Sequence, residues 1–139
     1  MELHDDCEAV RRERVVTAER ARVWAALASP QELGAWIADE LILERVEPGA
    51  EGIAREGRET RFVRIEEVQR ERRLALAWWP ATASEDEATL VDLTLEDEPG
   101  GGTRVVAVEV PLRVVEAVAG TLVAQAGSEG PQLAAAGWR

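Results

Sequence analysis

Apolar and polar residues alternate along much of this chain in the pattern that antiparallel strands with one buried face require. The clearest example is residues 88–96, where Val91, Leu93 and Leu95 share one parity while Asp92 and Thr94 share the other. Six further segments have strand character and are separated by turn signals: residues 10–17, 41–46, 52–55, 60–69, 73–79 and 103–110. Strands at this spacing, without helices between most of them, predict an α+β protein rather than an alternating βαβ architecture.

Two short amphipathic helices are predicted after the first strand, at residues 20–28 and 31–38. The second helix has clear start signals. Ser29 is the predicted N-cap, and Pro30 is the predicted first helical residue, where a proline loses no hydrogen bond. Glu32 then falls where a capping-box carboxylate would reach back to the cap.

The stretch containing these helices resembles the opening of the START-like, or SRPBCC, superfamily, in the branch of homologues of the heat-shock-protein-ninety ATPase activator. The features that carry the resemblance follow in order: Ala18, Val23-Trp24, Ala26-Leu27, Ser29-Pro30, Leu33, Trp36, Pro48-Gly49, Val68, Arg73-Leu74, Trp78 and Gly101–Arg104. The resemblance implies a helix-grip fold. In that fold a curved antiparallel sheet, with two short helices after its first strand, packs under a C-terminal helix and encloses an apolar cavity.

The domain organisation follows from the same comparison. Residues 1–8 are predicted to be a disordered acidic leader, and residues 9–139 a single START-like domain. Residues 112–126 suit the closing helix, but glycines interrupt the pattern before it restarts at 131–138. The closing helix is therefore expected to be short, split or truncated. Apolar sheet surface left uncovered would favour a dimer, so both a monomer and a homodimer remain open.

Composition narrows the chemistry. The net charge is −11, which opposes binding to nucleic acid or to an anionic membrane. The chain has no lysine, tyrosine or asparagine, and its only histidine and cysteine are His4 and Cys7. A Ser-His-acid triad, a His/Cys metal site and a disulfide are therefore not expected, nor is a cofactor. No apolar run suits a membrane helix and no signal peptide is visible, so a cytoplasmic location is predicted.

A ligand-binding wall is predicted from apolar residues at strand parity and at the helix-to-strand junction. Trp78 should point inward, because it shares its parity with two leucines. The last strand is ambiguous, since both of its parities are largely apolar. The predicted wall consists of Trp36, Ile37, Leu41, Leu76, Trp78, Leu93, Val108 and Val110. A solid core built from the same residues is the competing interpretation.

Catalytic candidates are few, and none is assigned. Glu109 interrupts an otherwise apolar strand; pointing inward, it could pair with an arginine or act as a general base. Asp92 is the second weak candidate. The leading hypothesis, taken from the resemblance, is binding of a hydrophobic small molecule, with an aromatic or polyketide-like ligand as one option. The alternatives are a cyclase- or dehydratase-type enzyme with a cavity carboxylate, a co-chaperone-like interaction module, and a metabolite-resistance protein.

Overall fold

A seven-stranded antiparallel sheet and two α-helices make up the computed structural model, which describes residues 9–112. The elements in chain order are β1 Val10–Val16, α1 Arg20–Leu27, α2 Pro30–Ile37, β2 Glu40–Ile42, β3 Glu51–Glu56, β4 Glu59–Gln69, β5 Arg73–Pro80, β6 Thr89–Asp97 and β7 Thr103–Pro111. A 3₁₀ turn at Glu85–Glu87 precedes β6. The predicted leader at 1–8, and the predicted closing helix beyond its first residue, lie outside the described residues.

The strands are ordered β1-β7-β6-β5-β4-β3-β2, and every neighbouring pair is antiparallel. The first strand therefore lies beside the last, and β1 and β2 form the two edges. The sheet is curled, and the two helices are inserted between its edge strands in sequence. This confirms the predicted α+β class with helix-grip topology.

The two faces of the sheet differ in what they contact. The inner face, defined here as the face packed against α1 and α2, carries Leu74, Leu76 and Trp78 from β5, all fully buried with Leu27 and Leu33 of the helices. The outer face carries the other parity of the same strand, including Ala77 and Trp79. Since directly paired residues in an antiparallel sheet share a face, the register assigns every other strand residue to one of the two.

Helix α2 begins where the sequence predicted, but the predicted capping hydrogen bond of Ser29 is not formed. Ser29 is the N-cap with extended backbone, Pro30 follows it, and Glu32 lies in the first turn. The Ser29 side chain makes no capping hydrogen bond, so the predicted capping box is not formed. The helix is instead held by its apolar stripe, with Leu33 and Ile37 fully buried against the inner face.

The second strand is shorter than predicted, spanning Glu40–Ile42 rather than residues 41–46. After Ile42 the chain leaves the ladder, and Leu43 is buried in the core. The following turn bonds to β4 instead. The Gly49 amide donates to the Ile65 carbonyl at 2.8 Å, and Gly49 has a φ of 89° that suits glycine.

Candidate functional site

Four side chains with polar atoms meet on the largely apolar inner face. They are Arg61, Trp78, Thr89 and Glu109, here called the inner-face quartet, and each is no more than 1% exposed. The Trp78 Nε1 donates to Glu109 Oε2 at 2.8 Å, and the Thr89 hydroxyl donates to the same oxygen. The Arg61 guanidinium carbon lies 4.9 Å from the centroid of the Trp78 ring, in cation–π contact.

Strand register brings the quartet together from four neighbouring strands. Arg61 comes from β4, Trp78 from β5, Thr89 from β6 and Glu109 from β7. Trp78 pairs directly with Thr89, and Glu109 pairs with Val91, the next inner-face residue of β6. The Trp78 indole reaches diagonally over β6 to Glu109 on β7. The same ring contacts Arg61 of β4 on its other side.

The electrostatics of the quartet are those of two opposite charges beside one indole. Burying an unpaired charge is costly, so such groups are retained only where they are paired and hydrogen-bonded. Arg61 also donates from Nη2 to Glu59 Oε1 at 2.7 Å, and that glutamate side chain is 67% exposed. The Arg61 side chain therefore connects the solvated start of β4, at Glu59, to the buried indole of Trp78. Chemically, the group offers a carboxylate acceptor or base, a guanidinium donor and an aromatic surface.

Most of the predicted wall belongs to the same inner-face core as Trp78, but two residues do not. Five predicted residues are buried in one inner-face core: Ile37, Leu41, Leu76, Trp78 and Leu93. Trp36 is half-buried and packs against that core. The structure thus brings these six together, while their role in binding stays a prediction.

Val108 and Val110 require a correction. Both lie on the outer face, where they line a shallow recess of about 350 Å³ with Leu90 and Asp92. The inner-face residues of β7 are instead Val105, Ala107 and Glu109, opposite Leu95, Leu93 and Val91. Periodicity could not decide between the two parities because both are mostly apolar.

The two predicted carboxylates lie on opposite faces. Glu109 points inward, whereas Asp92 is on the outer face and accepts from Arg73 Nε at 2.9 Å and from Nη2 at 2.8 Å. The hydrogen bond that Arg73 donates to Asp92 is the main reason that the pKa of Arg73 is raised. Asp92 is therefore an outer-face ion-pair partner of Arg73 and does not lie on the inner face with Glu109, the other weak catalytic candidate.

Sequence reasoning missed Arg61 and Thr89. Arg61 shares its parity with Val63 and Ile65, which are buried, and Thr89 shares its parity with Val91. This parity is the signal that could have found them, because a polar residue in register with core positions must point inward. The register puts Arg64 and Thr94 on the outer face, with Ala77 and Val106.

Residues 9–112 contain neither a cluster of metal-ligating side chains nor a helix suited to a membrane. Within this part of the chain, no three His, Cys, Asp or Glu side chains converge as metal ligands would. Neither described helix is both long and apolar enough to cross a bilayer.

The curled sheet, the paired helices after β1 and the buried inner face define a helix-grip protein of the START-like class. Sequence comparison agrees with that class. The chain belongs to the family described as "Activator of Hsp90 ATPase homolog 1-like protein", whose profile matches residues 17–139. Among curated proteins, none matches the sequence significantly.

Solved structures with the same fold include three that illustrate its range. DynU16, from the dynemicin biosynthetic locus, is 20% identical with a TM-score of 0.63, over 82% of this chain and 43% of its own. CalU16 of Micromonospora echinospora is 21% identical with a TM-score of 0.57, over 81% and 68%. The Aha1 dimer of Colwellia psychrerythraea is 14% identical with a TM-score of 0.57, over 74% and 75%. This chain thus spans less than half of DynU16, and these likenesses establish the fold alone.

Proposed function

We propose that this protein binds an apolar small molecule over the inner face of its sheet, with the inner-face quartet fixing a polar group of the ligand. Glu109 carries the proposal. A carboxylate with no solvent exposure, accepting from an indole and a hydroxyl on an apolar face, is expensive to keep for folding alone. Ligand sites have this composition, with mostly apolar walls and a few placed polar groups.

The chemical class of the ligand follows from the quartet. A carboxylate acceptor and a guanidinium donor beside one indole suit a hydroxyl or carbonyl oxygen on an aromatic or other flat apolar body. DynU16, a fold relative, belongs to the dynemicin biosynthetic locus. That setting supports an aromatic or polyketide-like natural product as the ligand of this chain.

The test uses two neighbouring tryptophans that face opposite ways. Trp78 belongs to the quartet, whereas Trp79 lies on the outer face against Phe62. Each indole N–H gives its own signal in a ¹H–¹⁵N spectrum, and the variants Trp78→Phe and Trp79→Phe assign the two. 2-Naphthol should shift the Trp78 signal saturably and leave the Trp79 signal in place, and naphthalene, which lacks the hydroxyl, should bind more weakly.

A Trp78 signal that stays in place while the Trp79 signal moves would overturn the proposal. The proposal would also be overturned if 2-naphthol caused no saturable change in either indole signal. Native mass spectrometry of the purified protein supplies an independent check, because a co-purified small molecule should be lost from Trp78→Phe and kept by Trp79→Phe.

The inward carboxylate also favours a second function, that of an enzyme using Glu109 as a general base. 2-Tetralone is a suitable probe, since it has an apolar aromatic body and exchangeable α-protons. If Glu109 is a base, the wild type should accelerate deuterium uptake by 2-tetralone, and Glu109→Gln should abolish that acceleration. Asp92→Asn, which changes the outer-face carboxylate, should behave as the wild type. A wild-type protein that gives no acceleration would leave binding as the function.

A further inference from the structure

Two arginines at the edge of the inner face have no carboxylate partner among residues 9–112. Arg12 and Arg14 of β1 pair with Ala107 and Val105 of β7, both of which are fully buried inner-face residues. The register therefore places both guanidinium groups on the inner side of an edge strand, and both residues are exposed. They are here called the cationic rim.

The carboxylates near the cationic rim are engaged elsewhere. Glu13, the acidic residue between the two arginines, lies on the outer face, where it accepts from Arg11 at 2.6 Å and from Arg104 at 2.5 Å. Across residues 9–112, no carboxylate oxygen comes within 4.0 Å of the Arg12 or Arg14 guanidinium. Arg12 donates to the Arg11 carbonyl, at 3.2 Å. The described part of the chain thus leaves two neighbouring cations without an acidic partner, in a protein of net charge −11.

The cationic rim borders a recess and an aromatic ring. The Arg14 guanidinium carbon lies 5.4 Å from the centroid of Trp36, which holds it over the end of α2. A recess of about 510 Å³ opens here, lined by Arg14, Val15, Val16, Thr17, Ala35 and Trp36. Guanidinium groups bind carboxylates in a planar, two-bonded geometry, so this recess is suited to an organic acid.

From this geometry we infer that the cationic rim binds the carboxylate of an amphipathic ligand whose apolar body extends along the inner face. The inference rests on the binding function proposed above and narrows its ligand class. Val10 pairs with Glu109, and Arg14 lies four residues further along β1. At about 3.3 Å per strand residue, Arg12 is roughly 7 Å and Arg14 roughly 13 Å along the strand from the level of Glu109, so the far end of the cationic rim is about the length of a ten-carbon chain away.

Decanoic acid and decan-1-ol form a matched pair for calorimetry, because they differ in the charged group and not in the chain. Near neutral pH the wild type should bind the acid about tenfold more tightly than the alcohol. The variant Arg12→Gln/Arg14→Gln should bind both equally. Added salt should weaken binding of the acid more than that of the alcohol.

The control variant Arg11→Gln/Arg104→Gln removes the same number of charges from the outer face of β1 and its neighbour β7, and it should keep the preference for the acid. Equal wild-type affinity for acid and alcohol would overturn the inference, as would a preference that survives in Arg12→Gln/Arg14→Gln. If neither compound binds while 2-naphthol still shifts the Trp78 signal, the cationic rim has no such role and the proposed function stands. If 2-naphthol also fails, the proposed function falls and the inference falls with it.

Discussion

The Trp78 indole donates to Glu109 Oε2 at 2.8 Å and thereby joins β5 to β7 over the strand that lies between them. Thr89, on the intervening strand, donates to the same oxygen. One carboxylate oxygen thus ties three strands together on the inner face, at a point where the ladder hydrogen bonds join only neighbours. Buried hydrogen bonds to a charged group contribute about 1.5–3 kcal/mol each, so this oxygen matters for stability as well as for binding.

Removing this carboxylate should destabilise the fold. We expect Glu109→Ala to lower the free energy of unfolding by about 3 kcal/mol, because it leaves the Trp78 N–H and the Thr89 hydroxyl without their acceptor. Glu109→Gln should cost less, since its amide oxygen can still accept. Asp92→Ala, on the outer face, should cost no more than about 1 kcal/mol. Urea denaturation measures all three, and equal costs for Glu109→Ala and Asp92→Ala would contradict the role given to this bond.

The strands and helices were predictable because each has a local signal. Alternation marked β6, and the Ser29-Pro30 step marked α2 at the position where it begins. Glu109 was found as a candidate because it breaks an apolar run. Parity alone could not orient β7, since the outer face of this sheet is itself half apolar; Val106 is buried there. Orientation came only from pairing with β6, which no local pattern encodes.

The quartet was predictable only in part, for the same reason. Trp78 and Glu109 were singled out by residue type and strand parity. Arg61 and Thr89 belong to the site because β4 and β6 flank β5 in the sheet, with Val63 and Thr89 opposite Trp78. These neighbours are set by the pairing of strands that are distant in sequence. The sequence pattern can therefore predict which single residues point inward, but not which of them meet in one cluster.

The turn between β6 and β7 should depend on Gly102 and not on Gly100, two residues earlier. Gly102 has a φ of 93°, and a Cβ there would lie 2.4 Å from the Val16 carbonyl oxygen, at the end of β1. Gly102→Ala should therefore lower stability by about 2 kcal/mol or more. A Cβ at Gly100 meets nothing within 4 Å, so Gly100→Ala should be close to neutral. Thermal melts of the two variants check this, and equal melting temperatures would contradict it.

Acidification should weaken the fold through two outer-face carboxylates. Hydrogen bonds from Arg11 and then Arg104 lower the pKa of Glu13 below 4.5, and a hydrogen bond from Gln69, followed by the charge of Arg73, lowers the pKa of Glu67. A carboxylate whose pKa is lower in the folded than in the unfolded chain stabilises the fold above the unfolded pKa. That stability is lost as the pH falls through the folded value.

Urea midpoints measured over a pH series should therefore fall more steeply below about pH 4.5 for the wild type than for Glu13→Gln/Glu67→Gln. The difference between the two slopes should be small, because both carboxylates are partly exposed to solvent. The gap between the urea midpoints of the two proteins should also narrow at the lowest pH, because the wild-type carboxylates are then protonated and uncharged, like the glutamines of the variant. Parallel curves for the two proteins would show that these arginine contacts do not stabilise the folded state.

If the quartet is kept for binding, an apolar replacement should separate stability from function. A quadruple variant would replace the whole quartet with apolar side chains: Arg61→Leu, Trp78→Phe, Thr89→Val and Glu109→Leu. It removes the guanidinium and the carboxylate together with the indole N–H and the hydroxyl that contact them. Replacing buried ionic groups with well-packed apolar residues is often neutral or stabilising, and only the smaller side chains at positions 61 and 78 should cost stability, so this variant should lose no more than about 3 kcal/mol. Its preference for 2-naphthol over naphthalene should nevertheless disappear. A variant that is strongly destabilised yet keeps that preference would mean that the quartet serves the fold and that the ligand lies elsewhere.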